Sequence, residues 1–177
     1  MRFNVAHLLH EDVGETSTVS FEVAPDAFDE ALGLIEPVVG EARLLRTNRG
    51  LLADMRLTTR ARLPCSRCLA DVTIPISGRT IDEFFPVADL RTGAPVAMEE
   101  DAEGFALTES HELDFAEPAR QVIYLETPMQ PLCAPECAGL CPLCGHNLNT
   151  GRCACSFEPA DARFFPLTQW LRADADS

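Results

Sequence analysis

Lysine is absent: all fourteen basic residues of this 177-residue chain are arginine. GC-rich codon usage is the plain source of such a bias. Its chemical consequence holds either way, because guanidinium grips phosphate in a bidentate, stacked manner that ammonium cannot. Also missing is any apolar run near the ~18 residues that a membrane-spanning helix needs. The opening MRFNVAHLLHEDVGE meets acid after ten residues and has no apolar h-region. The sequence therefore predicts no signal peptide, no membrane partner and a cytoplasmic location. There is no His-Glu-x-x-His and no carboxylate inside a cysteine motif to act as base. Gly33, Gly40 and Gly50 are isolated, so no phosphate loop is present. No serine stands in a nucleophile elbow, and His7, His10 and His111 stand apart from any nucleophile. These absences predict a protein that is not an enzyme and takes no small-molecule substrate. The net charge of −14 excludes a simple electrostatic glove for nucleic acid, and no repeat period stands out.

What is present is enough for a core. Hydrophobic residues make up 46%, which excludes wholesale disorder, and the length suits one domain or one domain with a small appendage. Charge is segmented. Residues 1–36 hold one arginine and eight acids, 37–80 eight arginines and three acids, 81–118 one arginine and eleven acids, and 119–177 four arginines and six acids.

The first third reads as β. Phe3, Val5 and His7 alternate with polar or small neighbours, and Val19, Phe21 and Val23 alternate with Thr18, Ser20 and Glu22. Phe28, Ala31, Leu32 and Ile35 are spaced like one helical face. The clearest period lies at 50–63, where Leu51, Ala53, Met55, Leu57, Ala61 and Leu63 oppose Asp54, Arg56, Thr58, Arg60 and Arg62. A hairpin through 47–50 joins it to Val38–Leu45, and Val72, Ile74 and Ile76 continue the pattern. The fold class expected is α+β: an N-terminal antiparallel sheet to about residue 87 with a few helices, then a C-terminal Cys-rich, zinc-ribbon-like segment. Residues 88–112 read as a solvated acidic loop carrying Glu99, Glu100, Asp101 and Glu103. Asp114 to Glu117 has capping-box spacing, with a helix to about Glu126. The expected division is a β-rich core over 1–127 and a zinc-binding segment with a docking helix near 159–173 over 128–177.

The cysteines stand at 65, 68, 133, 137, 141, 144, 153 and 155. A cytosolic setting disfavours disulfides. A redox Cys-x-x-Cys usually opens a helix after a strand. Cys65 and Cys68 instead sit between two strand patterns, as in a metal knuckle. In Cys141-Pro142-Leu143-Cys144-Gly145, two sulfurs three residues apart face one cation, and glycine lets the amides fold back toward them. Cys153 and Cys155 can supply the other two thiolates, giving a Cys₄ zinc site. Residues 128–158 have few large apolar side chains, so metal binding would supply the missing free energy, roughly 10–16 kcal/mol in zinc-finger peptides. Cys133 and Cys137 would then need Cys65 and Cys68 to complete a second site. The alternative places the metal on four of the six C-terminal cysteines and leaves Cys65 and Cys68 free. His146 reads as exposed loop.

Cys65-Ser66-Arg67-Cys68-Leu69 after a strand, then Pro131-Leu132-Cys133, Cys137-Ala138-Gly139-Leu140-Cys141-Pro142-Leu143-Cys144-Gly145 and Asn147-Leu148-Asn149, resemble the YceD family over nearly the whole chain. Asp161-Ala162-Arg163 resembles a common tail segment, although the lysine-rich tail usual in that family is absent. The resemblance implies a role in accumulation of 23S ribosomal RNA, through precursor processing or large-subunit assembly. It implies that zinc is scaffolding and carries over no catalytic residue; the cysteines themselves predict one or two structural zinc ions.

On this reading the partners are large-subunit ribosomal RNA precursor or large-subunit ribosomal proteins. Arg56, Arg60 and Arg62, on one strand face among Arg43, Arg46, Arg49 and Arg67, are the candidate RNA contacts. The acidic remainder suits a basic ribosomal protein held before assembly. A redox or metal-handling role for Cys65 and Cys68, unrelated to the ribosome, is the reading from a different class.

Overall fold

The computed structural model describes residues 1–89, 92–96 and 104–156. Its centre is the strand foreseen from the 50–63 period. Strand β4 (Leu51–Pro64) pairs antiparallel with β5 (Asp71–Phe85) from Leu51↔Phe84 out to Pro64↔Asp71. At about 3.3 Å per residue this ribbon is roughly 45 Å long, and its tip is the Cys65–Cys68 turn. On the other side of β4 lie β3 (Val38–Arg46) and then β2 (Thr16–Val23), both antiparallel. The hairpin turn between β3 and β4 closes with the Thr47 amide donating to the Gly50 carbonyl at 2.9 Å. The fold is thus α+β with a largely antiparallel sheet. One strand departs from that expectation: β6 (Phe105–Ala106) joins the edge of β5 in parallel. A separate two-stranded sheet pairs β1 (Arg2–Asn4) with β7 (Glu112–Asp114).

Along β4 the inward residues are Leu51, Ala53, Met55, Leu57, Thr59 and Ala61, all buried. Thr59 keeps the period because its hydroxyl donates to the Glu36 carbonyl at 2.9 Å, which satisfies a polar group inside the core. Among the described residues two helices cover this face: α1 (Ala6–His10) contributes Leu8 and Leu9, and α2 (Ala116–Glu126) contributes Ala119, Val122 and Ile123. Phe115 is the hub, within 5.9 Å of the Phe3, Phe21 and Phe84 rings. Among the described residues no helix or strand packs on the opposite face of the sheet.

Several local expectations are corrected. The strand read through His7 stops at Asn4, whose side-chain oxygen takes the Ala6 amide at 3.1 Å and starts α1. His7, an inward position in that alternation, is exposed. Residues 25–35 form two 3₁₀ turns, Pro25–Ala27 and Glu30–Leu32, with Gly33 at φ 60, instead of one helix. Only Leu32 of the four supposed face residues is fully buried. The capping box does not form either: Glu117 turns forward to Arg120 and Gln121, while Asp114 accepts the Ala116 amide at 2.9 Å. Within the expected acidic loop 88–112, Phe105–Ala106 and the start of β7 are strand. The Glu99–Glu103 run and the 159–173 helix lie outside the described residues.

Helix α2 lies against β5 at Gly78. A β-carbon there would come within 2.5 Å of Val122 Cγ1 and 2.7 Å of Glu126 Cγ. The missing side chain lets α2 follow the ribbon, so that the chain leaving its end arrives at the Cys65–Cys68 tip. The Ser66 amide then donates to the Pro131 carbonyl at 2.8 Å.

Candidate metal centre

The eight cysteines gather into two quartets: Cys65, Cys68, Cys133 and Cys137, and Cys141, Cys144, Cys153 and Cys155. Within each, all four sulfurs lie within 4.8 Å of one another. In the first, Cys65 Sγ is 3.8 Å from Cys137 Sγ and Cys68 Sγ is 3.5 Å from Cys133 Sγ. These separations are far beyond a disulfide bond of about 2.05 Å. They match the tetrahedral edge, about 3.8 Å, set by four sulfurs around zinc at about 2.3 Å. The donor set fits as well. Four thiolates with no carboxylate form a soft, closed shell that leaves no coordination position for water or substrate. The chain's residues therefore fit a structural zinc in each quartet.

Both quartets are built on the same local device. In Cys65–Leu69 the Leu69 amide donates to the Cys65 carbonyl at 2.9 Å, and the Cys65 amide to Ala70 at 2.8 Å. In Cys141–Gly145 the Gly145 amide donates to the Cys141 carbonyl at 2.8 Å, and the Cys141 amide to His146 at 2.8 Å. The turn aims amides at the leading sulfur. Cys65 is held below the usual thiol range by the Cys68 amide first, then by those of Arg67 and Cys133, against the opposing effect of burial. Cys141 is lowered likewise by the Cys144 and Leu143 amides. Cys133 and Cys155 are pushed the other way, chiefly by the neighbouring Cys137 and Cys144 sulfurs respectively. That split is what four crowded sulfurs do when they share few protons. A cation at the centre removes the conflict by taking all four as thiolates.

The composite quartet crosses the fold. Cys65 and Cys68 come from the ribbon tip, and Cys133 and Cys137 from the segment after α2. Backbone contacts clamp the junction: Leu140 donates to the Arg67 carbonyl at 3.2 Å, and Arg67 Nη1 to the Cys137 carbonyl at 2.9 Å. Gly139, at φ 75, has its missing β-carbon 3.2 Å from the Arg67 carbonyl. A small apolar cluster of Val72, Leu132 and Leu140 packs around Cys65, Cys68 and Cys137. His146 is exposed and belongs to neither quartet. The sequence did not single out Arg67 as a clamp, because its partner is a backbone carbonyl seventy residues away. Nor did it give Asn149 a role of its own. The side chain of Asn149 accepts the Ala138 amide at 2.8 Å and donates to Cys137 Sγ at 3.4 Å.

The arginines predicted to contact RNA do share one face. Arg56, Arg60 and Arg62 project from β4 onto the open side of the sheet, all exposed. Their surroundings differ. Arg56 stands between Glu41 and Arg79 in register, next to the bidentate Arg79–Asp54 pair with both contacts at 2.7 Å. Arg60 reaches Glu36 only at 3.5 Å. Arg62 faces Thr73 and makes no ion pair among the described residues.

Residues 53–170 match the model of the YceD family, described as "Large ribosomal RNA subunit accumulation protein YceD". The match takes in most of the ribbon and all eight cysteines, and the chain belongs to this family. An uncharacterized protein of Mycobacterium tuberculosis and one of Mycobacterium bovis are each 29% identical over 140 residues, 77% of this chain and 63% of theirs. The chain thus spans less than two thirds of the length of these relatives. The chloroplastic "Large ribosomal RNA subunit accumulation protein YCED homolog 1" of Arabidopsis thaliana is 36% identical over 59 residues, 33% of this chain and 18% of that protein. No solved structure matches the chain. None of the described helices is long and apolar enough to cross a membrane.

Proposed function

We propose that the protein is a non-catalytic, zinc-stabilised factor that supports accumulation or processing of 23S ribosomal RNA and assembly of the large ribosomal subunit. The observation that carries this is the reach of the family match, since residues 53–170 include both cysteine quartets together with Arg56, Arg60 and Arg62. Two zinc ions act as scaffold: one staples the ribbon tip to the segment after α2, and the other closes the 141–155 loop. Four thiolates per ion give a site for holding chain together, with no room for an activated water.

RNA phosphate is met on the open sheet face by Arg56, Arg60 and Arg62. Arg62 is the strongest grip, because no carboxylate stands opposite it, whereas Arg56 faces Glu41 and Arg60 pairs with Glu36. Crosslinking in cells followed by RNA sequencing tests the reading. Enrichment of large-subunit precursor RNA supports it. Recovery of a basic ribosomal protein without RNA would instead assign the partnership to the acidic surface of the −14 chain.

A further inference from the structure

The two quartets are not independent in space. Asn149 lies in the middle of the loop between Cys144 and Cys153, which belong to the second quartet, yet its side chain serves the first. Its Nδ2 donates to Cys137 Sγ at 3.4 Å, and its Oδ1 accepts the Ala138 amide at 2.8 Å. Asn147 fixes it from the same loop, accepting both the Asn149 amide at 3.0 Å and Nδ2 at 2.8 Å. The backbone repeats the connection: the Leu148 amide donates to the Gly139 carbonyl at 2.9 Å, while Leu140 donates to Arg67 on the other side. Residues 138–140 are thus gripped by both centres at once. Asn149 itself is exposed and buries little, so packing does not account for its four hydrogen bonds.

We infer that Asn149 is a positioning residue that couples the two cysteine centres, so that loading the second with metal tightens the first. This rests on the reading that both quartets hold zinc. Closing the 145–152 loop on a metal fixes Asn149. A fixed Asn149 orients Cys137 and supplies an N–H to its sulfur, which stabilises negative charge there and holds the ligand in place. Outer partners of metal ligands commonly change metal affinity by 10–100-fold when removed. By linkage, the first centre must favour the second by the same factor.

The test uses the full-length zinc protein and its cobalt(II)-substituted form. Zinc release to a chromogenic chelator is followed for wild type, Asn149→Ala, the double variant Cys153→Ser/Cys155→Ser, and the three substitutions combined. Asn149→Ala is expected to speed release of one of the two ions at least tenfold. It should also move the thiolate-to-cobalt charge-transfer band to lower energy, since the sulfur loses a hydrogen bond, while β-sheet content stays unchanged. The double-serine variant should hold one zinc and release it at the faster rate, and adding Asn149→Ala to it should change little. Wild-type rates and an unshifted band in Asn149→Ala would overturn the coupling, as would a double-serine variant whose remaining zinc leaves at the wild-type rate. A wild-type protein free of zinc would overturn the zinc reading itself, and the coupling with it. The metal content of the wild type tells these failures apart.

Discussion

Leu69 and Gly145 occupy the same station in the two cysteine turns. Each follows the second cysteine of its pair, each donates its amide to the carbonyl of the first, and their φ angles are 61 and 71. Only one of them is a glycine. A left-handed conformation costs an L-residue roughly 1–2 kcal/mol, and glycine gives back about 0.5–1 kcal/mol through its looser unfolded chain. Leu69 is 65% exposed, so little burial compensates it.

Leu69→Gly should therefore leave the zinc protein as stable as wild type or up to about 1 kcal/mol more so. Gly145→Ala meets no atom within 4 Å, so it should lose about 1 kcal/mol from backbone strain alone. Thermal unfolding of the metal-loaded variants checks both. A clear loss from Leu69→Gly would mean that the leucine side chain is stabilising despite its exposure.

Gly78 is the bed on which α2 lies. Gly78→Val should push against Val122 and Glu126 and cost about 1–3 kcal/mol, the usual range for overpacking. The first quartet should loosen with it, because α2 delivers Cys133 and Cys137 to the ribbon tip. Urea unfolding together with zinc content tests this. An unchanged midpoint would show that the helix can shift away without penalty.

Metal loss should act unevenly along the chain. Cys144→Ser is expected to remove amide protection from 138–155 and leave β2 to β5 protected, since the sheet has its own core around Leu44, Met55, Leu57 and Phe115. Cys68→Ser should extend the loss to the ribbon tip and to 131–140. Hydrogen exchange read by segment decides. Collapse of the whole sheet in either variant would make the metals part of the core's own stability.

The three arginines should rank. Charge reversal at Arg62 should weaken association with precursor large subunits more than reversal at Arg56, which sits beside Glu41 and the Arg79–Asp54 pair, or at Arg60, which pairs with Glu36. Reversing all three should flatten the salt dependence of binding, since each lost phosphate contact removes a released counterion. Sedimentation with precursor particles at several salt concentrations measures this. Wild-type behaviour of the triple variant would take RNA off this face.

What could be read before the structure was whatever repeats at short range. Residues 51–63 announced their strand because one face is buried from Leu51 to Ala61, and the hydroxyl of Thr59 hid that face at one position only. The helix over Ala116–Glu126 and the cysteine turn at the ribbon tip were legible for the same local reason. Residues 6–10 and 25–35 misled because a five-residue helix and two 3₁₀ turns are too short to show a period. The parallel strand Phe105–Ala106 is shorter still. The kinship of the two turns was masked by Leu69 standing where glycine is expected. The grouping of Cys141, Cys144, Cys153 and Cys155 was legible from their spacing, and the pairing of Cys133 and Cys137 with Cys65 and Cys68 was one of two readings; that junction depends on α2 running back along β5 over Gly78, which no local period shows.

The two quartets also differ in when they can exist. Cys68 and Cys133 are 65 residues apart, and Cys65 and Cys137 are 72. At a synthesis rate of about 5–20 residues per second, the ribbon tip leaves the ribosome with two unpartnered thiols that wait roughly 3–14 seconds for the other half. Cys141 to Cys155 emerge together within about 1–3 seconds. A nascent chain therefore carries a long-lived half-site that oxidation, or a thiol of another chain, can claim first. Growth in limiting zinc or under oxidant should damage newly made protein through Cys65 and Cys68 well before it harms protein already folded.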